Sequence, residues 1–320
     1  MTQMDQKKII GTVKAICISE KRGTEKKPVQ EAFFRENYGI EGDAHAGNWH
    51  RQVSLLSYDK VLEFNQRGAD VSDGAFGENL VVEGIDFRSL PVGTILSCGE
   101  VVLKMTQIGK ECHTHCQIYH RMGECIMPTQ GVFAEVLSSG VIRKGDSMTV
   151  RIPDGTEPFT AAVITMSDKG SLGLREDKSG PAMETALLEA GFRVIEKQIL
   201  PDEKERLKKE LIRLSDQRQV DLILTSGGTG FSERDTTPEA TLEVMTRNAP
   251  GIAEAIRYES MKYTKRAMLS RGVSVIREKT LIVNLPGSPK AVKESMEIIL
   301  DSIIHGLGIL KGSESECGRS

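Results

Sequence analysis

The stretch Asp221-Leu-Ile-Leu-Thr-Ser-Gly-Gly-Thr-Gly230 indicates how the second half of the chain folds. Its apolar run is short and leads directly into a glycine-rich loop, which is the pattern of a buried strand that ends in a turn. Comparable runs alternate with amphipathic segments on both sides of it. This alternation predicts a mostly parallel sheet with helices on both faces. The other predicted strands are residues 161–165, 192–195 and 281–285, and the predicted helices are residues 179–190, 203–214, a helix from about 238, and 290–304.

The first half of the chain has a different texture. Short β-like runs alternate with glycine turns, and helical patterns are sparse. This pattern predicts a compact, mostly antiparallel β barrel or sandwich. The clearest predicted strands are residues 53–57, 80–82, 94–97 and 101–106, and the clearest predicted helix is residues 58–66.

The sequence pattern changes at Ile152-Pro-Asp-Gly-Thr-Glu-Pro158, a segment with few apolar side chains to bury. We therefore predict two domains, residues 1–151 and 159–311, joined by a linker at 152–158 and followed by a polar tail at 312–320. Two domains also agree with a length of 320 residues.

Composition excludes several classes of protein. A net charge of −3 gives no reason to expect a nucleic-acid or membrane partner, and no apolar run has the length of a membrane span. The N-terminal residues lack the apolar core of a signal peptide. We therefore expect a cytoplasmic protein that acts on small molecules, with its six cysteines present as thiols.

The glycine loop of the second half is the first candidate site. Ligands of parallel sheets bind beyond the carboxyl ends of the strands, where this loop lies. Glycines allow sharp turns that bring several N–H groups together, so the loop is a candidate cradle for a phosphate or a pterin phosphate; the alternative is a plain strand-to-helix turn. It matches neither a Walker A motif nor G-x-G-x-x-G. The candidate donors are the backbone of Gly227, Gly228 and Gly230 and the hydroxyls of Thr225, Ser226 and Thr229.

Three aspartates near the predicted strand ends are candidate Mg²⁺ ligands, namely Asp202, Asp221 and Asp235. Mg²⁺ commonly binds one or two carboxylates together with substrate phosphates. Each aspartate also has a local explanation. Asp202 can cap the following helix, Asp235 can begin a turn, and Asp221 lies at the opposite end of its strand from the loop. Lys178 and Arg234 are either cations that assist the phosphates or solvated surface charges.

These motifs occur in the order found in the MogA/MoaB family of molybdopterin-binding proteins, which the second half resembles. The matching segments are Ser167-Asp168, Asp177-Lys-Ser-Gly180, Leu200-Pro-Asp-Glu203, the loop 225–230, Arg234-Asp-Thr-Thr-Pro238 and Leu285-Pro-Gly287. The resemblance implies a three-layer αβα sandwich, homo-oligomers that are commonly trimers, and transfer of AMP from Mg-ATP to molybdopterin with release of pyrophosphate. The alternative is a carrier that holds molybdopterin without turnover.

The resemblance also implies roles for individual residues. Asp202 and Asp235 correspond to the catalytic acidic positions, and Asp221 to a further acidic position. The substrate-binding positions are Ser167, Asp168, the loop Thr225, Ser226, Gly227, Gly228, Thr229 and Gly230, and the segment Pro286, Gly287 and Ser288.

The most reactive segment of the first half is Gly109-Lys-Glu-Cys-His-Thr-His-Cys116. Its cysteines and histidines, with His120 and Cys125, could bind a metal. Alternatively, one thiol is activated by the adjacent histidines and Lys110, or the cysteines are inert.

Residues 10–150 resemble the MOSC domain, the family of the C-terminal domain of molybdenum cofactor sulfurase. The resemblance rests on the Arg51 run, Gly77-Glu-Asn79, Leu90-Pro-Val-Gly93 and Gly131-Val-Phe-Ala-Glu-Val136. It implies that Cys112 carries sulfur or binds the molybdenum cofactor, although Glu111 replaces a common proline and Cys116 is an extra candidate. The chain as a whole therefore resembles a fusion of two molybdenum-cofactor domains, with other molybdenum-cofactor proteins as candidate partners.

Overall fold

The computed structural model describes residues 9–110 and 117–312. The chain forms two compact units, Met1–Asp154 and Gly155–Ser320. The boundary between them along the chain falls within the predicted linker. In the part of the chain described, no helix is both long enough and apolar enough to span a bilayer.

A closed β barrel forms the first unit. Strand β1 pairs with β6 on one side and with β11 on the other, so the order β1-β11-β7-β8-β9-β5-β6 returns to β1. Among the described barrel strands only β5 and β6 run parallel. Closure confirms the predicted barrel. The barrel strands are β1 (Ile10–Ile18), β5 (Val53–Ser57), β6 (Leu80–Glu83), β7 (Ile95–Cys98), β8 (Val101–Ile108), β9 (Val132–Ser138) and β11 (Ser147–Arg151). Strand β2 (Lys27–Val29) pairs with the end of β1, and β3 (Glu31–Arg35), β4 (Gly39–Ile40) and β10 (Gly140–Arg143) form a separate three-stranded sheet.

Alternation along the strands fills the barrel. On β8, Val101, Leu103 and Met105 point inward and are fully buried, as the period of two residues requires. Helix α1 (Tyr58–Gln66) places Val61 and Phe64 in a second apolar cluster outside the barrel wall. Two short helices, α2 (Gln117–Met122) and α3 (Met127–Gln130), contribute to the same cluster.

The second unit contains a mixed sheet in the order β13-β12-β14-β17-β16-β15. The first four strands are parallel, and the last two extend the sheet in antiparallel fashion. The predicted parallel sheet is therefore correct for those four strands, and the mixed edge was not predicted. The strands are β12 (Thr160–Met166), β13 (Arg193–Leu200), β14 (Leu222–Ser226), β15 (Arg247–Asn248), β16 (Ser274–Arg277) and β17 (Thr280–Leu285).

Helices cover both faces of this sheet. Successive residues of β12 face opposite sides, so Val163 packs in one apolar cluster and Ile164 in the other. Helices α5, α8 and α9 pack in the cluster of Val163, and α6 and α7 in that of Ile164. The helices are α4 (Asp168–Ser171), α5 (Ser179–Glu189), α6 (Lys204–Ile212) with a π-helical turn at Arg213–Gln217, α7 (Thr237–Glu243), α8 (Pro250–Ser260) and α9 (Pro289–Lys311).

Candidate functional site

A cleft of about 820 Å³ lies beyond the carboxyl ends of the parallel strands in the second unit. The loops after β12, β13, β14 and β17 all contribute to its wall, as expected for an open α/β sheet. The wall contains Ser167, Asp202, Ser226, Gly228, Asp235, Gly287 and Ser288 among the predicted site residues.

The loop after β12 is fixed by two caps. Ser167 Oγ accepts from Gly170 N at 3.0 Å at the start of α4. Asp177 Oδ1 accepts from the N–H groups of Ser179 and Gly180 at the start of α5, both at 3.0 Å. Thr165 Oγ1 donates to the other oxygen of Asp177 at 2.9 Å. Asp177 thereby ties this wall of the cleft to the end of strand β12.

The glycine loop after β14 is tightly constrained. Gly227 and Gly228 have φ values of +95° and +64°, a region that favours glycine. A Cβ on Gly227 would stand 2.5 Å from Met166 O, and one on Gly228 would stand 2.3 Å from Thr237 Oγ1. Among the described residues, no acceptor takes a hydrogen bond from the N–H groups of Gly228, Thr229 or Gly230. The loop therefore keeps three backbone donors available for an anionic ligand.

The hydroxyls of this loop serve the protein itself. Thr225 is fully buried and accepts from Asn284 Nδ2 at 2.9 Å, and it does not line the cleft. Ser226 Oγ donates to Pro286 O at 2.9 Å, which joins the loops after β14 and β17. Thr225 is therefore held inside the sheet away from the cleft, whereas Ser226 lines the cleft and bridges two of its loops.

The loop after β17 closes the far wall. Ser288 caps α9 by accepting from Ala291 N at 3.2 Å. Gly287 O accepts from Ser179 Oγ at 3.0 Å, and a Cβ on Gly287 would stand 3.4 Å from Gly227 Cα. Pro286, Gly287 and Ser288 therefore adjoin the glycine loop, as the motif order predicted.

Asp202 and Asp235 both line the cleft. Burial raises the pKa of Asp202, and the negative charges of Asp168 and Asp235 raise it further. Asp235 Oδ2 accepts from Ser232 N at 3.0 Å within its own loop. The carboxylates of these two predicted metal ligands are therefore close enough to interact electrostatically.

Asp168 connects these acidic residues to a cation. Its carboxylate accepts from Asp202 N at 3.0 Å, and Asp202 Oδ2 accepts from Asp168 N at the same distance. Arg234 Nη2 lies 2.7 and 2.6 Å from the two oxygens of Asp168. Hydrogen bonding from Arg234 lowers the pKa of Asp168.

Asp221 lies apart from these carboxylates. It precedes β14 and is therefore at the opposite end of the sheet from the glycine loop. Its Oδ2 accepts from Thr160 N at 2.7 Å and from Thr160 Oγ1 at 2.9 Å, and Oδ1 pairs with Lys311 at the end of α9. The structure therefore does not bring Asp221 together with the other two predicted metal ligands, because Asp221 makes these structural contacts at the opposite end of the sheet. Within the described residues no group of three or more histidine, cysteine or acidic side chains forms a metal site.

Arg271 is a functional neighbour that the sequence did not reveal. It lies far along the chain, yet its Nε donates to Gly230 O at 2.6 Å and its N–H to Thr229 O at 2.9 Å. It also contacts Asp235 O and the Glu239 carboxylate. Arg175, also unpredicted, lines the cleft, and so does Lys178.

A buried polar network in the barrel joins the segments that the MOSC resemblance singled out. Asp43 Oδ2 lies 2.5 Å from Lys26 Nζ, and both side chains are buried. The same carboxylate accepts from Ser19 N and from Asn79 Nδ2. Although burial opposes ionisation, hydrogen bonds from His45 and Lys26 keep the pKa of Asp43 well below its usual value. Asn79 of the Gly77-Glu-Asn79 segment and the loop that carries Asp43 are therefore joined by a buried hydrogen bond.

This network supports a group of aromatic and basic side chains before β5. The Arg51 guanidinium lies 4.8 Å from the Trp49 ring centre and 5.6 Å from that of Phe133. His50 Nε2 lies 2.9 Å from Gln107 Oε1, near the end of β8. Cys112, His113, His115 and Cys116 lie outside the described residues, so the predicted cysteine role stays a prediction. Of the other cysteines, Cys17 and Cys98 are buried.

Comparison with known proteins assigns both units. Residues 162–305 match the family model "Probable molybdopterin binding domain", and residues 42–149 match the MOSC domain model. The molybdopterin adenylyltransferase of Helicobacter pylori is 40% identical over 153 residues, which are 47% of this chain and 87% of the relative. The Escherichia coli K12 molybdopterin adenylyltransferase is 41% identical over 152 residues, 45% of this chain and 77% of the relative.

A solved structure is similar over the same unit. The molybdopterin biosynthesis enzyme MoaB from Thermus thermophilus shares 44% identity and covers 48% of this chain and 97% of its own, with a TM-score of 0.46. The extent and identity of the sequence matches decide the family. Through its second unit the chain belongs to the family of the molybdopterin adenylyltransferases, which are nucleotidyltransferases, and its first unit is a MOSC domain.

Proposed function

We propose that the second unit acts in molybdenum cofactor biosynthesis by transferring AMP from ATP to the terminal phosphate of molybdopterin. The observation that carries this proposal is one cleft that contains Gly228 of the glycine loop together with two carboxylates, Asp202 and Asp235. Family membership supports it, since relatives 40–41% identical over this unit bear the name molybdopterin adenylyltransferase.

The donor set suits Mg²⁺. The hard carboxylate oxygens of Asp202 and Asp235 adjoin a loop suited to phosphates, which is the usual protein share of a magnesium–nucleotide site. Burial, and after it the nearby negative charges, raise the pKa of Asp202, so a divalent cation there would favour the ionised carboxylate. When bound, Mg²⁺ would offset negative charge on the α-phosphoryl group and the departing pyrophosphate.

The protein's own groups position the reactants. In the reaction a phosphate oxygen of molybdopterin forms a bond to the α-phosphorus of ATP, and the bond from that phosphorus to the bridging oxygen of pyrophosphate breaks. The attacking oxygen is already anionic and needs little help from a general base. The N–H groups of Gly228, Thr229 and Gly230 would bind phosphate oxygens without reorganising, because the loop is fixed by Thr237 and Arg271. Arg175 and Lys178 supply positive charge in the cleft wall.

Pyrophosphate release tests the proposal directly. The full chain with Mg-ATP is expected to release pyrophosphate only when molybdopterin is added, and EDTA should stop the release. Tight molybdopterin binding without release under these conditions would instead support a carrier.

Asp235→Asn sharpens this test. We expect turnover to fall by at least about 100-fold, since a neutral amide is a poor Mg²⁺ ligand. The amide oxygen can still accept from Ser232 N, so the loop should keep its shape and molybdopterin should bind with near wild-type affinity. Fluorescence titration with molybdopterin provides the second readout, and equal losses of binding and rate would contradict the metal role.

For the barrel unit we infer that it binds the molybdenum cofactor or modifies it with sulfur through Cys112. Support comes from the MOSC match over residues 42–149 and from the fusion of this domain to a molybdopterin-binding domain. Cys112→Ser should leave pyrophosphate release unchanged but abolish cofactor binding or sulfur transfer by the barrel. Cys116→Ser is the matched control, and an effect confined to Cys116→Ser would move the assignment to that thiol.

A further inference from the structure

The carboxylate of Asp168 joins the loops of three neighbouring parallel strands. Asp168 follows β12, and its oxygens accept from Asp202 N after β13 and from Arg234 after β14. These strands are adjacent in the order β13-β12-β14. One side chain therefore sets the relative placement of three loops that line the cleft.

The contacts lead to both proposed metal ligands. Asp168 and Asp202 exchange backbone-to-carboxylate hydrogen bonds, each 3.0 Å long, so the two residues hold each other on both sides. Arg234 directly precedes Asp235, and on the other side of this loop Arg271 binds Gly230 O. Arg271 also contacts Asp235 O, but only the ion pair between Arg234 and Asp168 joins this part of the loop to the loop after β12 among the contacts described.

The solvent exposure of Arg234 and Asp168 argues against a large contribution of their ion pair to folding stability. The side chains of Arg234 and Asp168 are 60% and 44% exposed, and ion pairs this exposed contribute little to stability. Arg234 also has its Nη2 donor committed to both oxygens of Asp168. The family resemblance implies a substrate-binding role for Asp168, and the sequence leaves Arg234 as either a cation that assists the phosphates or a solvated surface charge.

We infer that Asp168 and Arg234 are a positioning pair, which holds the Asp202 and Asp235 carboxylates in the arrangement that a metal–nucleotide complex requires. This inference rests on the proposed function. Partners that orient metal ligands commonly affect metal affinity by 10- to 100-fold without touching the metal. Arg234 would act through Asp168 and would not contact phosphate.

A double-mutant cycle on the full chain tests the pair. The variants are Asp168→Asn, Arg234→Gln and the double variant, and the readout is Mn²⁺ binding by electron paramagnetic resonance in the presence of α,β-methylene-ATP. Each single variant is expected to weaken Mn²⁺ binding about 10-fold or more, and the double variant no further, because both remove the same contact. Arg234→Lys, which keeps the charge, should recover part of the affinity.

Arg143→Gln is the matched control. It breaks another exposed arginine–carboxylate pair, that of Arg143 with Glu31 in the barrel, and should leave Mn²⁺ binding unchanged. Molybdopterin affinity, followed by fluorescence, should also stay within about twofold in Arg143→Gln, since that ion pair lies in the other unit.

Unchanged Mn²⁺ affinity in the single variants would overturn the inference. So would losses that add in the double variant, which would show that Arg234 acts on the nucleotide independently. A wild-type chain that binds no Mn²⁺–nucleotide would overturn both this inference and the proposed reaction. Wild-type Mn²⁺ binding with the expected cycle, but no molybdopterin-dependent pyrophosphate, would support the positioning pair and refute the adenylyl transfer.

Discussion

Gly228 lies where the glycine loop comes closest to Asp202. A Cβ at this position would stand 2.3 Å from Thr237 Oγ1 and 3.6 Å from Asp202 Oδ1. Thr237 cannot yield freely, since its hydroxyl is buried and donates to Gly227 O at 3.0 Å. We expect Gly228→Ala to lose most of the pyrophosphate release, because the added methyl group must displace the loop that carries the N–H donors. Steady-state rates at saturating Mg-ATP measure the loss.

Gly191→Ala is a control that introduces backbone strain without steric crowding by the added methyl group. Gly191 also has a left-handed φ, +84°, but a Cβ there would meet nothing within 4 Å. Both variants therefore incur the left-handed penalty of about 1–2 kcal/mol, whereas only Gly228→Ala incurs the collision. If Gly191→Ala lost activity to the same extent, strain alone would explain the result and the tight loop would not.

Glu78 gives the barrel a pH-dependent stability. It is fully buried and accepts from Gly74 N and Phe76 N, and burial raises its pKa to about 7. A carboxyl group with a raised folded-state pKa stabilises the fold below its unfolded value, near 4.5, and this contribution is lost as the pH rises to about 7. The loss amounts to about 3 kcal/mol by linkage.

Glu78→Gln should therefore flatten the fall in barrel stability between pH 5 and pH 8. Glutamine keeps a carbonyl oxygen for one of the two N–H donors but does not titrate in this range. Urea unfolding at several pH values, with wild-type protein in parallel, measures the difference. An unchanged pH slope in the variant would assign the titration to another group.

At the scale of elements, apolar runs next to turn residues located several of the strands, although the long strands β1 and β9 were not predicted. The predicted strand at residues 53–57 and the helix at residues 58–66 coincide with β5 and α1, because five buried residues are followed directly by an amphipathic pattern. The antiparallel edge of the second sheet was missed. Strand β15 has only two residues, both exposed, and β16 has four, so neither offers a periodic signal.

Site residues, like strands, could be predicted where the local sequence carries a clear signal. Residues in strand-ending loops, such as Asp202 and Asp235, could be expected to converge because parallel strands end at one edge. Arg271 could not, since its contact with Asp235 O depends on how the segment before β16 packs against the glycine loop. Likewise, nothing in the local sequence distinguishes a threonine that binds ligand from Thr225, which is buried against Asn284.

Asp221 shows how element position decides a residue's role. It joins the starts of β12 and β14 to the end of α9, through Thr160 and Lys311. We expect Asp221→Asn to lower the free energy of unfolding of the second unit by about 1–3 kcal/mol, because a buried charge-assisted contact is lost. Pyrophosphate release at a temperature where the variant is folded should equal that of the wild type. Lost activity at unchanged stability would restore Asp221 as a metal ligand.

At the scale of the whole molecule, two self-contained cores are the main feature. Each apolar cluster takes its residues from one unit, and each sheet is likewise confined to one unit. Such an organisation allows two domains of one biosynthetic route to be fused without sharing a core. The trimer, the cytoplasmic location and the role of Cys112 stay predictions at this scale.

Independent cores predict two separable unfolding transitions. Leu103 is fully buried in the barrel and Leu224 is fully buried in the second sheet, so they form a matched pair of core sites. Leucine-to-alanine substitutions in cores usually cost about 2–5 kcal/mol, which shifts a transition by several degrees. In calorimetry of the full chain, Leu103→Ala should lower one transition temperature and Leu224→Ala the other, each leaving its counterpart within about one degree. If either substitution moved both transitions together, the two units would unfold as one cooperative body. The units would then not be structurally independent, as the separate reactions proposed for them assume.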